Sequence, residues 1–157
     1  MGIFGSKATS DVDSRILNSL TQSQRTEPRT LKEIAKRQRP LLALLQETDE
    51  IQFAHLSWRP NTVLAAVTND LVIGVGWDSN FSKGGVTSFL RSEIGEIEKG
   101  VTKDANYWAD ITSTDALPFK AFRSDTGSAA YQKYYAGKIS LQFSERTRLD
   151  EFVRAVS

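Results

Sequence analysis

The sequence predicts an α+β fold, mainly β, with helices first, about seven short antiparallel strands next and one closing helix. Three observations carry this. Apolar residues recur at helical spacing up to Leu45. From Ile51 onward they alternate with polar residues or gather in short runs of strand formers bounded by turn residues. After Phe143 helical spacing returns.

Residues 1 to 10 are small and polar and read as a disordered start. Val12, Ile16, Leu17 and Leu20 then fall on one helical face, with Ser10 as the expected N-cap and Asp11 and Asp13 in a first turn that favours negative charge. Thr21 to Arg29 is polar, contains Pro28 and reads as a loop. Thr30-Leu31-Lys32-Glu33 has the form of a capping box, opening a helix that buries Leu31, Ile34 and Ala35. Pro40 either kinks that helix or starts a new one through Leu41, Leu42, Leu44 and Leu45. Thr48-Asp49-Glu50 ends the helical region.

Strands follow at Ile51 to Leu56, Thr62 to Val67, Leu71 to Val75 and Val86 to Leu90, with a fifth short segment holding Ile94 and Ile97. Trp58-Arg59-Pro60-Asn61 and Thr68-Asn69-Asp70 are turns, the second with residues that tolerate unusual backbone angles. Gly76 to Gly85 reads as a loop carrying Trp77 and Phe81. Tyr107, Trp108 and Ile111 suggest a strand, and Leu117, Phe119 and Phe122 another. Asp125 to Ser128 reads as a loop, and Tyr131, Tyr134 and Tyr135 fit a strand or a short helix. Lys138 to Phe143 turns Ile139, Leu141 and Phe143 inward. Leu149, Phe152, Val153 and Val156 form the apolar face of the last helix.

Composition bounds the function. The chain has 157 residues, enough for one ordinary domain with a tail. Its 20 Lys+Arg against 19 Asp+Glu give a net charge of +1, which argues against a general nucleic-acid coat protein. With no cysteine there is no disulfide framework, thiolate metal site or cysteine nucleophile. A single histidine, His55, excludes any site that needs two imidazoles. No apolar run approaches the ~20 residues of a membrane span, and no secretory leader is evident, so the expected compartment is the cytoplasm. Gly2 and Ser6 fit the short N-myristoylation pattern, with a loose start holding Ile3 and Phe4 as the alternative.

The order of these elements resembles the bacterial PH-like domain family. The leucine-rich helix Leu41 to Glu50 precedes the first strand. Ala65-Ala66-Val67-Thr68-Asn69-Asp70-Leu71-Val72-Ile73 looks like the family's Thr-Asn hairpin. Phe89-Leu90-Arg91-Ser92-Glu93-Ile94-Gly95-Glu96-Ile97 looks like its strand with an aromatic residue and two isoleucines. Gly137 to Phe143 and Leu149 to Val156 look like its last strand and capping helix. The resemblance implies a PH-like seven-stranded antiparallel barrel capped by the C-terminal helix. It places residues 1–40 in a disordered start and N-terminal helical extension, and 41–157 in the PH-like domain. Val101 to Ala136 is longer and more aromatic than that pattern needs.

The strongest charge cluster is Arg25, Arg29, Lys32, Lys36, Arg37 and Arg39, opposed by Glu27 and Glu33. Six minus two leaves +4 over residues 25–39. It reads as a solvated helix face, as a contact for acidic lipid or protein, or as the first helix of a helix-turn-helix. The last reading fails where a recognition helix would need polar residues, because Pro40 to Leu45 offers none. Trp58, Arg59, Trp77 and Phe81 are candidate partner contacts, with a place in the core or its rim as the alternative. Arg59 alone on the first hairpin is a weak basis for phosphoinositide binding. Gly74-Val75-Gly76 lacks the third glycine of a phosphate loop, and Asp78-Ser79-Asn80 lacks the rest of a calcium loop. Nothing pairs Glu93/Glu96 or Asp49/Glu50 across a cleft. The expectation is a non-catalytic, protein-binding module with no cofactor and no metal. Peripheral association with an anionic membrane through the basic helix, and an enzyme of unrecognised type, are the alternatives. Nucleic acid is not an expected partner, and the oligomeric state is left open.

Overall fold

The computed structural model describes residues 11–78, 81–113, 120–121 and 138–157. Among the described residues three helices precede the strands: α1 (Ser14–Ser19), α2 (Gln22–Thr26) and α3 (Pro28–Leu42). Strands β1 (Phe53–Ser57), β2 (Val63–Val67), β3 (Leu71–Asp78) and β4 (Phe81–Leu90) follow. After a 3-10 turn at Arg91–Glu93 come β5 (Ile94–Val101), β6 (Tyr107–Ser113), β7 (Lys120–Ala121), β8 (Lys138–Phe143) and helix α4 (Arg146–Val156). The fold is α+β, as expected, with two antiparallel sheets and a C-terminal helix.

The first sheet is the meander β1-β2-β3-β4, extended by the two-residue β7. The second has the order β5-β6-β8. Among the described residues no ladder joins the two sheets into a closed barrel. They pack face to face instead. Val63, Ala65, Val67, Val72 and Phe89 of the first sheet meet Ala109, Ile111, Ile139 and Leu141 of the second. Gly74 lets the sheets approach closely at this contact: a Cβ there would lie 3.3 Å from the Ile139 side chain, which would have to give way slightly. α4 fills the open end with Leu149, Phe152 and Val156. Phe152 lies 5.3 Å from Phe53 and 5.7 Å from Phe143, spacings at which aromatic pairs add to burial.

The N-terminal helices cover the other face of the first sheet. Val12, Ile16, Leu20, Leu31, Ile34 and Leu41 pack on Ala54, Leu56, Leu64, Ala66, Ile73 and Val75. The sheet is therefore buried on both sides, and every residue of β1 and β2 is buried. That explains the nearly unbroken apolar run Val63-Leu64-Ala65-Ala66-Val67, which a half-exposed strand would not need.

Several local expectations are corrected. The stretch expected as a loop from Thr21 holds α2, whose N-cap Thr21 accepts a bond from Gln24 N through its side chain. α3 begins at Pro28 rather than after Thr30, because a proline at the first helical position is already set at the helical φ. Thr30 is buried inside the helix. Glu33, freed from capping, pairs with Lys36 and Arg37. α1 is capped by Asp13, whose carboxylate accepts from Arg15 N; Ser10 lies outside the described residues. Pro40 starts no new helix and sits in the last turn of α3, where the bond it removes from the i→i−4 ladder leaves only Leu41 and Leu42 of the helix beyond it. The Thr68–Asp70 turn is held by the Thr68 hydroxyl, which accepts from Asp70 N and Leu71 N, and needs no positive φ at Asn69 or Asp70. Trp77 and Phe81 stand on strands, not in a loop: the pairing of Asp78 with Phe81 carries β3 and β4 through this stretch. The cross-strand ladder overrides the loop-like Gly and Ser composition there. Of the strand expected over Leu117, Phe119 and Phe122, the described part is β7; the rest, with Asp125–Ser128 and the three tyrosines, lies outside the described residues.

Candidate functional site

A sheet offers partners its edges, where backbone N–H and C=O groups face outward. The two sheets treat their edges differently. Side chains cover the outer edge of β1. The Gln24 amide bonds both backbone groups of Leu56: Nε2 donates to its carbonyl at 2.8 Å and Oε1 accepts from its N–H at 3.1 Å. A neighbouring strand would make the same two bonds. Arg148 donates to the carbonyls of Ala54 and Ser19. Its guanidinium lies 3.9 Å from the centre of the Phe53 ring. Ser19 Oγ donates to Ile51 O at 2.8 Å.

The inner side of β1 is tied to β8. His55 Nε2 donates to the Gln142 carbonyl at 2.8 Å, and Gln142 N donates to Ser57 Oγ at 2.8 Å. Two side chains of β1 thus serve both backbone groups of Gln142 where no ladder forms. The imidazole lies 4.4 Å from the Phe143 ring centre. Burial pushes its pKa down to about 4; the Gln142 bond opposes this and the charge of Arg148 adds to it. With Nε2 carrying the proton, Nδ1 is a bare acceptor, buried and without a hydrogen-bond partner. His55 is a neutral, structural imidazole.

Trp58 and Arg59 do come together, at the mouth of a cleft of about 160 Å³ that Gln24, Asn106 and Gln142 also line. Trp58 is half-buried against the helical core, and Arg29 lies over its ring at 4.6 Å. Arg59 is exposed. Trp77 lies on β3 and Phe81 on β4, two and three strands from β1.

The basic cluster divides. Arg37 is buried and donates to the carbonyl and carboxylate of Glu33. Partial burial works to raise the Glu33 carboxyl, but the bonds from Lys36 and Arg37 outweigh it and hold the carboxyl below its ordinary value. Arg25 is half-buried on α2. Arg29, Lys32, Lys36 and Arg39 are all exposed. Their steps of three, four and three place them in one row about 15 Å long on the outer side of α3.

The outer edge of β5 is bare: among the described residues nothing pairs with it. The strand is exposed or half-buried throughout. Its far end opens on a groove of about 350 Å³ between β5 and α4, lined by Lys99, Val101, Tyr107, Arg146, Leu149 and Asp150. Val101 is 62% exposed, above Leu44 and Leu90, the other exposed large apolar residues among those described. Gly100 lets the Trp108 ring lie against the backbone, since a Cβ there would be 2.8 Å from Trp108 Nε1. Sequence reasoning missed Gln24, Arg148, Glu98 and Val101, and read Glu96 only as a carboxylate with no partner across a cleft. Only Val101, an apolar residue at a strand end, gave any signal. Among the described residues no group of acidic or imidazole side chains is placed to hold a metal ion, and no helix is long and apolar enough to cross a membrane.

No protein-family model matches the chain, and no curated protein or solved structure matches it either.

Proposed function

We propose that the chain is a non-catalytic, protein-binding module of PH-like type, with the outer edge of β5 as its contact. The contrast between the two edges supports this reading. Gln24 and Arg148 bond the outer backbone groups of β1, while among the described residues no strand pairs with the outer edge of β5, which lies beside a groove lined by Val101, Tyr107 and Leu149 together with Lys99, Arg146 and Asp150. Proteins commonly protect exposed edges, so an edge left open next to a groove fits the addition of a strand from a partner. A four-strand meander over a three-strand sheet, with a helix at the open end, supports the bent PH-like barrel as its frame.

Amide hydrogen exchange on the full chain tests the open edge. Along β5, the N–H groups turned toward β6 should exchange slowly and those turned away should exchange quickly. Uniform protection along Ile94–Val101 would show the edge already occupied and overturn the reading.

The row Arg29, Lys32, Lys36 and Arg39 supports a second reading, peripheral contact with an anionic membrane. At about 1 kcal/mol per cation it would be weak and salt-sensitive. Co-sedimentation with anionic vesicles at low salt, lost in Lys32→Glu/Arg39→Glu, is the expected result; no sedimentation would end it.

A further inference from the structure

We infer that the β5 edge takes an extended segment of a different protein in which basic and apolar residues alternate, and that it rejects a second copy of this chain. This rests on β5 being the contact edge.

The argument comes from register. Glu96, Glu98 and Gly100 pair with Thr112, Asp110 and Trp108, so they share the outer face of the second sheet. Ile97, Lys99 and Val101 pair with Ile111, Ala109 and Tyr107 and share the inner face. Asp110 is matched to Lys138 at 3.3 Å, whereas Glu96 and Glu98 are exposed carboxylates along the edge. A strand laid beside β5 puts one residue opposite each of these on the same face. Positions opposite Glu96 and Glu98 favour Lys or Arg. The alternate positions run along Ile97, Lys99 and Val101 toward the groove, and those beside Ile97 and Val101 favour apolar side chains.

The same arithmetic opposes self-pairing in the registers that overlap most of β5; two-fold pairs centred on Gly95 or Gly100 join only three residues of the strand. A two-fold dimer of edges is antiparallel and is centred on one residue of β5. Centred on Ile97, it sets Glu96 against Glu98 of the copy, twice. Centred on Glu96, Glu98 or Lys99, it sets that residue against itself. Parallel in-register addition stacks Glu96 on Glu96 and Glu98 on Glu98. Each of these longer registers opposes like charges across the new pair, a way in which edges avoid self-association.

The test uses the full chain and two synthetic peptides of about nine residues, long enough to run along the edge. One alternates Lys with Val and Thr, and the other has Glu in place of each Lys. Backbone amide shifts are followed by NMR at low salt. The expected result is shifts confined to Glu96–Val101 and the β5–α4 groove, with the Lys peptide bound at least about tenfold more tightly than the Glu peptide. In Glu96→Lys/Glu98→Lys the preference should reverse. Equal binding of both peptides at β5 would overturn the charge rule while leaving the open edge standing. Shifts only elsewhere, or none, would overturn the inference. Sedimentation of Glu96→Lys gives an independent readout. In the register centred on Ile97 the introduced lysine faces Glu98 of the copy, so this variant should dimerise while the unaltered chain stays monomeric. An unaltered chain that dimerises through β5 would refute the rejection of self.

Discussion

His55 is the position where one proton most opposes the fold. Its imidazole is closed in at the junction of β1 and β8 and folded holds a pKa of about 4, against 6.5 for an ordinary histidine. Between those values the unfolded chain binds the proton and the folded chain does not. Stability is therefore complete above about pH 6.5, declines as the pH falls through that window, and levels off below about 4. At about 1.4 kcal/mol per pH unit, the loss reaches roughly 3 kcal/mol by pH 4. That is a large part of the 5–15 kcal/mol typical of a domain. His55→Gln is the control: an amide can donate to the Gln142 carbonyl but does not titrate. Urea unfolding of both proteins from pH 7 to pH 4, followed by tryptophan fluorescence, isolates the effect, because carboxylates such as Glu33 titrate alike in both. At pH 7 the variant should be the less stable, having lost the ring against Phe143. Its deficit should shrink by about 3 kcal/mol as the pH falls. Parallel stability curves across the window, or an imidazole that titrates near 6.5 in the folded chain, would refute the reasoning.

Arg148→Met keeps the apolar stem but orphans the Ala54 and Ser19 carbonyls and removes the cation from Phe53. At about 1–3 kcal/mol per unsatisfied buried group, chemical denaturation should show a loss of about 3 kcal/mol or more, and a change under about 0.5 kcal/mol would mean the clamp holds nothing. Gly100→Ala forces the Trp108 ring off β5. It should cost about 1–3 kcal/mol and shift tryptophan emission to longer wavelength, whereas an unchanged spectrum would show that the ring does not rest there.

The parts of the fold that were legible in the sequence are those set by local periodicity. Ile139, Leu141 and Phe143 alternate inward, and Leu149, Phe152 and Val156 fall on one helical face, as their spacing requires. Where a second layer intervenes, periodicity loses its meaning. β1 was read as alternating, yet both of its faces are buried, one by the second sheet and one by α1 to α3. Nothing local to Phe53–Ser57 says that helices lie on its back. The Gly76–Gly85 stretch failed for the same kind of reason: small residues look like a loop until the ladder partner is known. Charge misled in a similar way. Arg15, Arg91 and Arg148 donate to backbone carbonyls of distant segments, and Arg37 is turned inward to Glu33, so the basic total overstates what the surface presents.

Edges were the least legible feature, and the reason is geometric. Side-chain alternation reports which face of a strand is buried, but an edge is defined by which strand fails to arrive beside it. Gln24 seals β1 from 32 residues away, and Gln142 reaches His55 from 87 residues away. Neither bond leaves a mark near the strand it serves. Glu96 and Glu98 are ordinary solvated carboxylates in a linear reading, and that is the correct default for acidic residues on a half-exposed strand. They acquire a meaning only once β5 is seen, among the described residues, to pair on one side alone. The two glutamates then stand on the outer face of an open edge, and Ile97 and Val101 occupy the alternate positions leading to the groove. In the proposed contact the charges would do two things at once: oppose a second copy of the same strand and select a segment of opposite pattern. A single residue change separates these effects, because Glu96→Lys turns a self-repelling edge into a self-complementary one while leaving the buried face of the sheet untouched.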